Sequence, residues 1–202
     1  MKIGIIDYQS GNLGSLSSAL NEIELDYFVS DSPNEIKKSD LILIPGVGSL
    51  YSGMHHIRKA GLDEVILEHH DKEKPILGIC LGMHLLGTSG NEGGETQGLN
   101  LIEGCITKLV SKEGFRVPHM GWDFVNNNGN STYGYFAHSY YFNVQSNTKL
   151  QLVSSFKWGT ENLSAEIRYN NVGGIQYHPE KSGPSGLKVL SQTIQYLSSV
   201  EK

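Results

Sequence analysis

The sequence contains few cysteines. Only Cys80 and Cys105 occur among 202 residues, and they do not form a C-x-x-C pair. This scarcity disfavours a disulfide framework or a cysteine zinc site, and it fits a reducing compartment such as the cytoplasm. We expect no bound metal and no cofactor.

The sequence also lacks an excess of positive charge and long apolar runs. Its 16 Lys and Arg residues stand against 21 Asp and Glu residues, a net charge of -5, so we expect neither nucleic acid nor a membrane as partner. The apolar part of "MKIGIIDYQSG" is too short for a signal peptide or a membrane span, and no other segment reaches spanning length. We therefore expect a cytoplasmic protein with a single domain over residues 1–202, which acts on a small metabolite or a protein partner.

The first half alternates short apolar runs with helix-like stretches. Leucine, isoleucine and methionine spacing predicts one helix near residues 13–23 and the next as a continuous helix near 54–66. This alternation is typical of β-α-β units around a parallel sheet. The predicted strands are residues 2–7, 26–30, 41–46 and 75–80.

The second half has a different texture, in which strands are broken by Gly and Asn turns, and an amphipathic helix over residues 185–199 closes the chain. The whole pattern predicts an α/β fold with a mostly parallel central sheet flanked by helices, followed by a mixed or antiparallel part. The strands predicted here are residues 105–110, 136–142, 150–156, 164–169 and 172–177.

One cysteine lies between a strand-like run and a helix-like run in "PILGICLGMHLL" (75–86). Gly78, Cys80 and Gly82 form Gly-x-Cys-x-Gly, the nucleophile-elbow arrangement with Cys in place of Ser. Glycines relieve crowding at the sharp turn, and the helix offers N–H groups that favour a thiolate and an oxyanion. The alternative interpretation is a buried cysteine with incidental glycines, since cysteine is often buried.

A thiol nucleophile needs a base and a group that orients the base. In "IQYHPEKSG" (175–183), His178 and Glu180 stand two residues apart around Pro179, directly after an apolar run. A His-x-Glu pair found alone more often lies in a solvated loop than in a catalytic site. Here the pair is stronger evidence for a catalytic role, because it follows a cysteine elbow and precedes the last helix.

A third segment, "IPGVGSL" (44–50), is rich in glycine and lies at the end of a predicted strand. Its backbone N–H groups can turn toward an anion and complete an oxyanion hole with the amide of Leu81. It fails as a dinucleotide fingerprint, because Gly46-x-Gly48 is followed by Tyr51 at the place of the third glycine.

The trio "PGVGS", "GICLGM" and "HPEKSG", in this order, resembles the class I, triad-type glutamine amidotransferases. "VPHMGWD" (117–123), "YFAHSYYF" (135–142) and the "DYQSGNLGS" opening are similar to the HisH branch, the glutaminase subunits of imidazole glycerol phosphate synthase. The resemblance covers nearly the whole chain. Each motif is weak alone, but their combination is specific.

The resemblance implies that a cysteine attacks the side-chain amide of glutamine, which gives a glutamyl thioester and ammonia, and that water then releases glutamate. Carried over, Cys80 is the nucleophile, His178 the general acid and base, and Glu180 the group that orients it. The backbone of Val47 and Leu81 holds the oxyanion, after a flip of the Val47 peptide. The positions that match the substrate's amino and carboxylate ends are Gly48, Glu92, Ser139 and Tyr140.

One residue departs from the family pattern. Family members usually read G-x-C-x-G-x-Q, with a glutamine that touches the substrate, and this chain has His84 there. A neutral imidazole offers one donor and one acceptor, so it partly imitates an amide, but imidazoles titrate near neutral pH. We expect intact chemistry with an altered glutamine affinity or pH profile; the alternative is a neutral family variant.

The resemblance also implies a partner, the (β/α)8-barrel cyclase HisF, which receives the ammonia and whose nucleotide ligand stimulates the glutaminase. Asn12, Trp122 and Lys181 match positions that face this partner, although Trp122 is equally compatible with a core position. An alternative acceptor is an amino-sugar amidotransferase of surface polysaccharide synthesis, supplied by a HisH paralogue. Two further alternatives are a thiol hydrolase acting on another amide and a non-catalytic regulatory module of the same fold.

Overall fold

The computed structural model describes residues 1–8, 12–127, 130–144 and 151–200. Thirteen strands and six helices are assigned within these residues. The strands are β1 (Ile3–Ile6), β2 (Tyr27–Ser30), β3 (Leu41–Ile44), β4 (Ile76–Ile79), β5 (Ser89–Gly90), β6 (Thr96–Gln97), β7 (Gly104–Lys108), β8 (His119–Asn127), β9 (Asn130–His138), β10 (Tyr140–Val144), β11 (Gln151–Trp158), β12 (Glu161–Tyr169) and β13 (Val172–Ile175). The helices are α1 (Leu13–Glu22), α2 (Pro33–Ile36), α3 (Leu50–Lys59), α4 (Leu62–Asp71), α5 (Leu81–Leu85) and α6 (Gly183–Ser199).

The main sheet has the order β2-β1-β3-β4-β13-β12-β11-β8-β9. The first five of these strands are parallel, in the order of a flavodoxin-like sheet in which β13 takes the fifth place. All residues of β1, β3, β4 and β13 are buried, as expected for strands covered on both faces. The predicted α/β class with a mostly parallel sheet is confirmed.

The second half is mixed, as predicted. From β13 outward the main sheet continues through antiparallel pairs to the β8–β9 hairpin. A second sheet, β10-β7-β5-β6, contains both parallel and antiparallel pairs. Strand β8 and the short β5 and β6 were not among the predicted strands.

The continuous helix predicted near residues 54–66 is wrong, because α3 and α4 are two separate helices. The chain breaks at Gly61, which has a φ of 68°. Only glycine adopts this left-handed conformation without strain, so the helix turns there and restarts at Leu62. The apolar spacing survives across the break, which explains why it looked like one helix. Among the described residues, no helix is long and apolar enough to cross a membrane.

The turn between β4 and α5 packs against the end of β3 with no room for side chains. A Cβ on Gly82 would lie 1.8 Å from the carbonyl oxygen of Ile44, and a Cβ on Gly78 would lie 2.4 Å from the oxygen of Gly82. A Cβ on Gly46 would lie 2.2 Å from the Tyr8 hydroxyl. These three glycines therefore bring two strand ends and one helix start together around Cys80.

We expect Gly82→Ala to destabilise the protein by about 3 kcal/mol or more, because backbone atoms of β3 have to move. Gly14 is the matched control: it lies in α1, and a Cβ there meets nothing within 4 Å. Gly14→Ala should instead stabilise the protein by about 0.5–1 kcal/mol. The free energy of unfolding in urea measures both, and similar small effects for the two variants would contradict this account of the turn.

Candidate active site

Cys80 occupies the elbow between β4 and α5 in a strained conformation, with φ 53° and ψ -110°. Its amide donates to the Ile175 carbonyl at 2.7 Å, and its own carbonyl accepts from Met83 at 3.0 Å. Positive φ in a residue other than glycine persists only where the surroundings enforce it, and it is common at functional sites. The backbone thus presents the thiol at the end of the parallel sheet, with 5% of the residue exposed.

His178 reaches the same place because β13 lies beside β4 in parallel register, Ile175 opposite Ile79. Three residues past that pair, the His178 amide donates to the Tyr135 carbonyl at 2.9 Å, and the His178 carbonyl accepts from the Ser182 hydroxyl at 2.6 Å. Both ends of the residue are therefore tied to neighbouring elements, and the ring is buried.

Glu180 lies in a short 3-10 turn, Pro179–Lys181, that follows at once. The His178 Nδ1–H donates to Glu180 Oε1 at 2.8 Å, and the two side chains are only 2% and 3% exposed. The predicted pairing of imidazole and carboxylate is therefore present in the structure, and it leaves Nε2 as the ring nitrogen available for another contact.

His178 also interacts with the Cys80 thiol. Burial lowers the pKa of His178, but the contacts with Cys80 and Glu180 outweigh burial and raise it to about 10. Because Glu180 occupies Nδ1, the contact with Cys80 falls to Nε2, which is buried and has no well-formed hydrogen bond to a described residue. The arrangement favours an imidazolium facing the sulfur.

Asn12 contacts the same pair. Its Nδ2 lies 3.3 Å from Glu180 Oε1 and 3.4 Å from His178 Nδ1. The resemblance assigned Asn12 to the partner interface; in this chain the half-buried side chain also hydrogen-bonds Glu180, the carboxylate predicted to orient the base. Asn12 itself has a left-handed φ of 82° at the start of α1.

A cavity of about 170 Å³ opens beside Cys80. Besides Cys80, its walls include six of the residues predicted around the substrate and the oxyanion: Val47, Gly48, Leu81, His84, Glu92 and Ser139. Tyr140 is the exception, because its half-buried side chain packs against the apolar core and is not part of the lining. Four lining residues were not predicted: Pro118, Met120, Ala137 and His138.

The loop after β3 supplies one wall of this cavity. Gly48 has a φ of 117°, which favours glycine, and Val47 beside it is 43% exposed. Leu81 lies opposite at the start of α5, so the two backbone segments predicted to hold an oxyanion line one cavity.

Two ionisable side chains lie at another wall. His84 is buried, its Nε2 is 2.9 Å from Gln176 Oε1, and its Nδ1 is 3.8 Å from Glu92 Oε2. An amide oxygen can only accept, so Nε2 carries the hydrogen and Nδ1 is left as an acceptor in the neutral ring. Glu92 also accepts from the Leu50 amide at the start of α3, at 3.2 Å.

Two of the three predicted partner-facing residues, Trp122 and Lys181, are exposed. Trp122 is 57% exposed on β8, next to exposed Met120 and Phe124, so its core alternative is wrong. Lys181 is exposed and lies 6.0 Å above the ring of Tyr135. We call the exposed rings of Trp122, Phe124 and Tyr133, together with the exposed Met120 side chain beside them, the aromatic face.

The described residues contain no group of three or more His, Cys, Asp or Glu side chains placed to hold a metal ion. The site brings together a thiol, an imidazole and carboxylates, which are side chains used in covalent acyl transfer.

The model of the family "Glutamine amidotransferase class-I" matches residues 4–195. The chain belongs to this family. Curated relatives extend over nearly its full length: "Imidazole glycerol phosphate synthase subunit HisH" of Geobacillus sp. (strain WCH70) is 40% identical over 98% of this chain and 97% of its own. The protein of the same name from Bacillus subtilis (strain 168) is 37% identical over 94% of both chains.

Solved structures agree on the fold. A crystal structure of a glutamine amidotransferase covers 98% of this chain and 99% of its own with a TM-score of 0.79 at 16% identity. A glutamine amidotransferase from Thermotoga maritima covers 99% of this chain and 94% of its own with a TM-score of 0.64 at 15% identity. The fold expected from the resemblance is confirmed by both.

We expect His84→Gln to lower the KM for glutamine with little change in kcat. In the neutral ring, His84 Nε2 donates to Gln176 Oε1, and Nδ1, 3.8 Å from Glu92 Oε2, can only accept. A glutamine side chain carries two amide hydrogens, so it can keep the bond to Gln176 and still donate toward the cavity. Steady-state kinetics at one pH, with kcat followed separately, measure the effect. An unchanged KM would contradict the placement of His84 at the substrate wall.

Proposed function

We propose that this chain is the glutaminase subunit of an imidazole glycerol phosphate synthase, which hydrolyses glutamine to glutamate and ammonia for histidine biosynthesis. The observation that carries the proposal is the buried series of Cys80, His178 and Glu180 beside a cavity large enough for a small amino acid. The HisH relatives support the same assignment over nearly the whole chain.

The first half of the reaction uses Cys80 and His178. The thiolate attacks the carboxamide carbon of glutamine, a C–S bond forms, and the carbonyl oxygen becomes an oxyanion. Backbone N–H groups of Val47 and Leu81 hold this charge, with a flip of the Val47 peptide to aim its N–H at the cavity. The His178 imidazolium gives its Nε2 proton to the leaving nitrogen, so the C–N bond breaks and ammonia departs.

The second half restores the enzyme. The glutamyl thioester remains on Cys80, and His178, now neutral, takes a proton from a water molecule that attacks the thioester carbonyl. The C–S bond breaks, glutamate leaves, and the thiolate and imidazolium are regenerated. Glu180 holds the Nδ1–H of His178 through both steps and stabilises the imidazolium, while Asn12 holds Glu180.

The substrate's amino and carboxylate end lies at the wall formed by Gly48, His84, Glu92 and Ser139. Glu92 is the anionic group of that wall and suits the α-ammonium group. Tyr140 contributes through its backbone and not its ring, because its carbonyl accepts from His138 at 2.7 Å and its side chain packs into the core. No cofactor enters the reaction.

The aromatic face and Lys181 form the surface on which a cyclase subunit, HisF in the relatives' system, docks as a heterodimer partner. Exposed aromatic side chains with a neighbouring cation are typical of interface anchors. Direct transfer fits the chemistry, because free ammonia is mostly ammonium near neutral pH and diffuses away. We place the protein in the cytoplasm as one amidotransferase domain. The relatives give no support to an amino-sugar amidotransferase as the acceptor.

We expect Cys80-dependent release of glutamate from glutamine that rises strongly when the cyclase and its nucleotide ligand are present. Cys80→Ala should lose about 10³-fold or more of the activity, because the covalent route disappears. Cys105→Ala is the matched control, since this half-buried thiol lies on β7 away from the cavity lining, and it should retain activity.

Two outcomes separate the hypotheses. Cys80-dependent activity that the cyclase and its ligand do not stimulate would contradict the histidine-pathway assignment, but it would still support a glutaminase. No turnover of glutamine under any condition would contradict the glutaminase itself.

A further inference from the structure

Three hydrogen bonds in series run from the protein surface to the wall of the cavity. Asp123 Oδ2 lies 3.0 Å from His119 Nε2, His119 Nδ1 lies 3.1 Å from His138 Nε2, and His138 Nδ1 lies 2.7 Å from the Tyr140 carbonyl oxygen. Asp123 is the surface end of the series, with a 36% exposed side chain, and His138 is buried at the cavity.

The hydrogens of this series can be counted. A carbonyl oxygen only accepts, so His138 Nδ1 carries a hydrogen and its Nε2 accepts in the neutral ring. His119 Nδ1 must then donate to His138. The carboxylate of Asp123 also only accepts, so His119 Nε2 must donate as well. All three bonds form together only when His119 carries both ring hydrogens.

The surroundings oppose that extra proton. His119 stacks on Phe136 and Phe156 with ring centroids 4.5 and 5.2 Å away, and Trp158 lies at 5.2 Å. Burial lowers the pKa of His119, and the Asp123 carboxylate acts in the opposite direction.

The ionisable groups on neighbouring elements also act against additional positive charge. Burial, together with smaller contributions from His119, His84 and His178, lowers the pKa of His138 to about 3, so His138 is neutral. When His119 is neutral too, one contact in the series sets two lone pairs against each other.

The segment at the inner end of the series shapes the cavity. His138 and Ser139 both line it, and the hydrogen bond from His138 to the Tyr140 carbonyl spans Ser139. The Ser139 carbonyl is held separately by the Leu109 amide at 2.9 Å. The Ser139 wall is therefore held from two sides, by the Leu109 amide and by the His138 ring.

We propose that His138 is a positioning residue for the glutamine cavity, held in place by Asp123 and His119, and that its hold on the Ser139 segment is complete only when His119 carries a second ring proton. The inference deepens the proposed function and rests on it, because it concerns the binding of glutamine at that cavity.

Asp123→Asn is a sharp test, because only one of the two carboxylate oxygens faces His119. Asp123 Oδ1 accepts from the Phe124 amide at 2.7 Å, so an asparagine keeps its oxygen there and turns its NH2 toward His119 Nε2. The amide donates where the carboxylate cannot, and the series is satisfied with a neutral His119.

In the complex with its cyclase, Asp123→Asn should lower the KM for glutamine about fivefold at about pH 8, the worth of one hydrogen bond, with little change in kcat. The ratio of the two KM values should approach one at low pH, where the wild-type His119 gains its proton; because burial lowers the pKa of His119, this happens below the ordinary range of a histidine. Asp71→Asn removes an equal charge from the exposed end of α4 and should leave KM unchanged. His119→Phe keeps the ring stack but removes the donor, and it should raise KM at low pH, where the wild-type His119 carries both ring hydrogens.

Nitrogen-15 spectra of the histidine rings, recorded on the full chain, give a readout that does not depend on turnover. We expect His138 as the Nδ1–H tautomer throughout, and His119 as a group that titrates in the wild type but stays a neutral Nδ1–H tautomer in Asp123→Asn. Equal KM profiles for wild type and Asp123→Asn, or a His138 Nε2–H tautomer, would overturn the inference. If no protein in the series turns over glutamine, the proposed function fails, and the spectra decide the hydrogen-bond series alone.

Discussion

The site depends on the parallel pairing of β4 with β13. Strand β4 ends directly before Cys80 and β13 leads to His178, so their carboxyl ends lie side by side although almost 100 residues separate them in sequence. The hydrogen bond from the Cys80 amide to the Ile175 carbonyl joins the two ends directly. The strained cysteine, the buried imidazole and its carboxylate all take their positions from this pairing.

Much of this arrangement could be predicted from the sequence because its signals are local. Short apolar runs marked the strands of the parallel half, and glycines two residues either side of Cys80 marked a turn too crowded for side chains. The break between α3 and α4 was missed because the apolar spacing continues across Gly61. Strand β8 was missed because its aromatic side chains alternate toward solvent, which does not produce an apolar run.

The remaining site residues could not be predicted because they act through long-range contacts. Asn12 meets Glu180 across 168 positions of sequence, and nothing near Asn12 indicates that contact. His138 faces the cavity while Tyr140, two residues later, turns its ring into the core. A family pattern gives the identity of such positions but not the direction of each side chain, which the packing of β9 and β10 decides.

We propose that the elbow makes Cys80 a nucleophile for glutamine. The most direct test treats the protein with a glutamine analogue that carries a chloromethyl ketone in place of the carboxamide and maps the adduct by peptide mass spectrometry. We expect a single adduct on Cys80 that glutamine prevents, with Cys105 unmodified as an internal reference. Labelling of Cys105 instead, or labelling of Cys80 that glutamine does not slow, would contradict it.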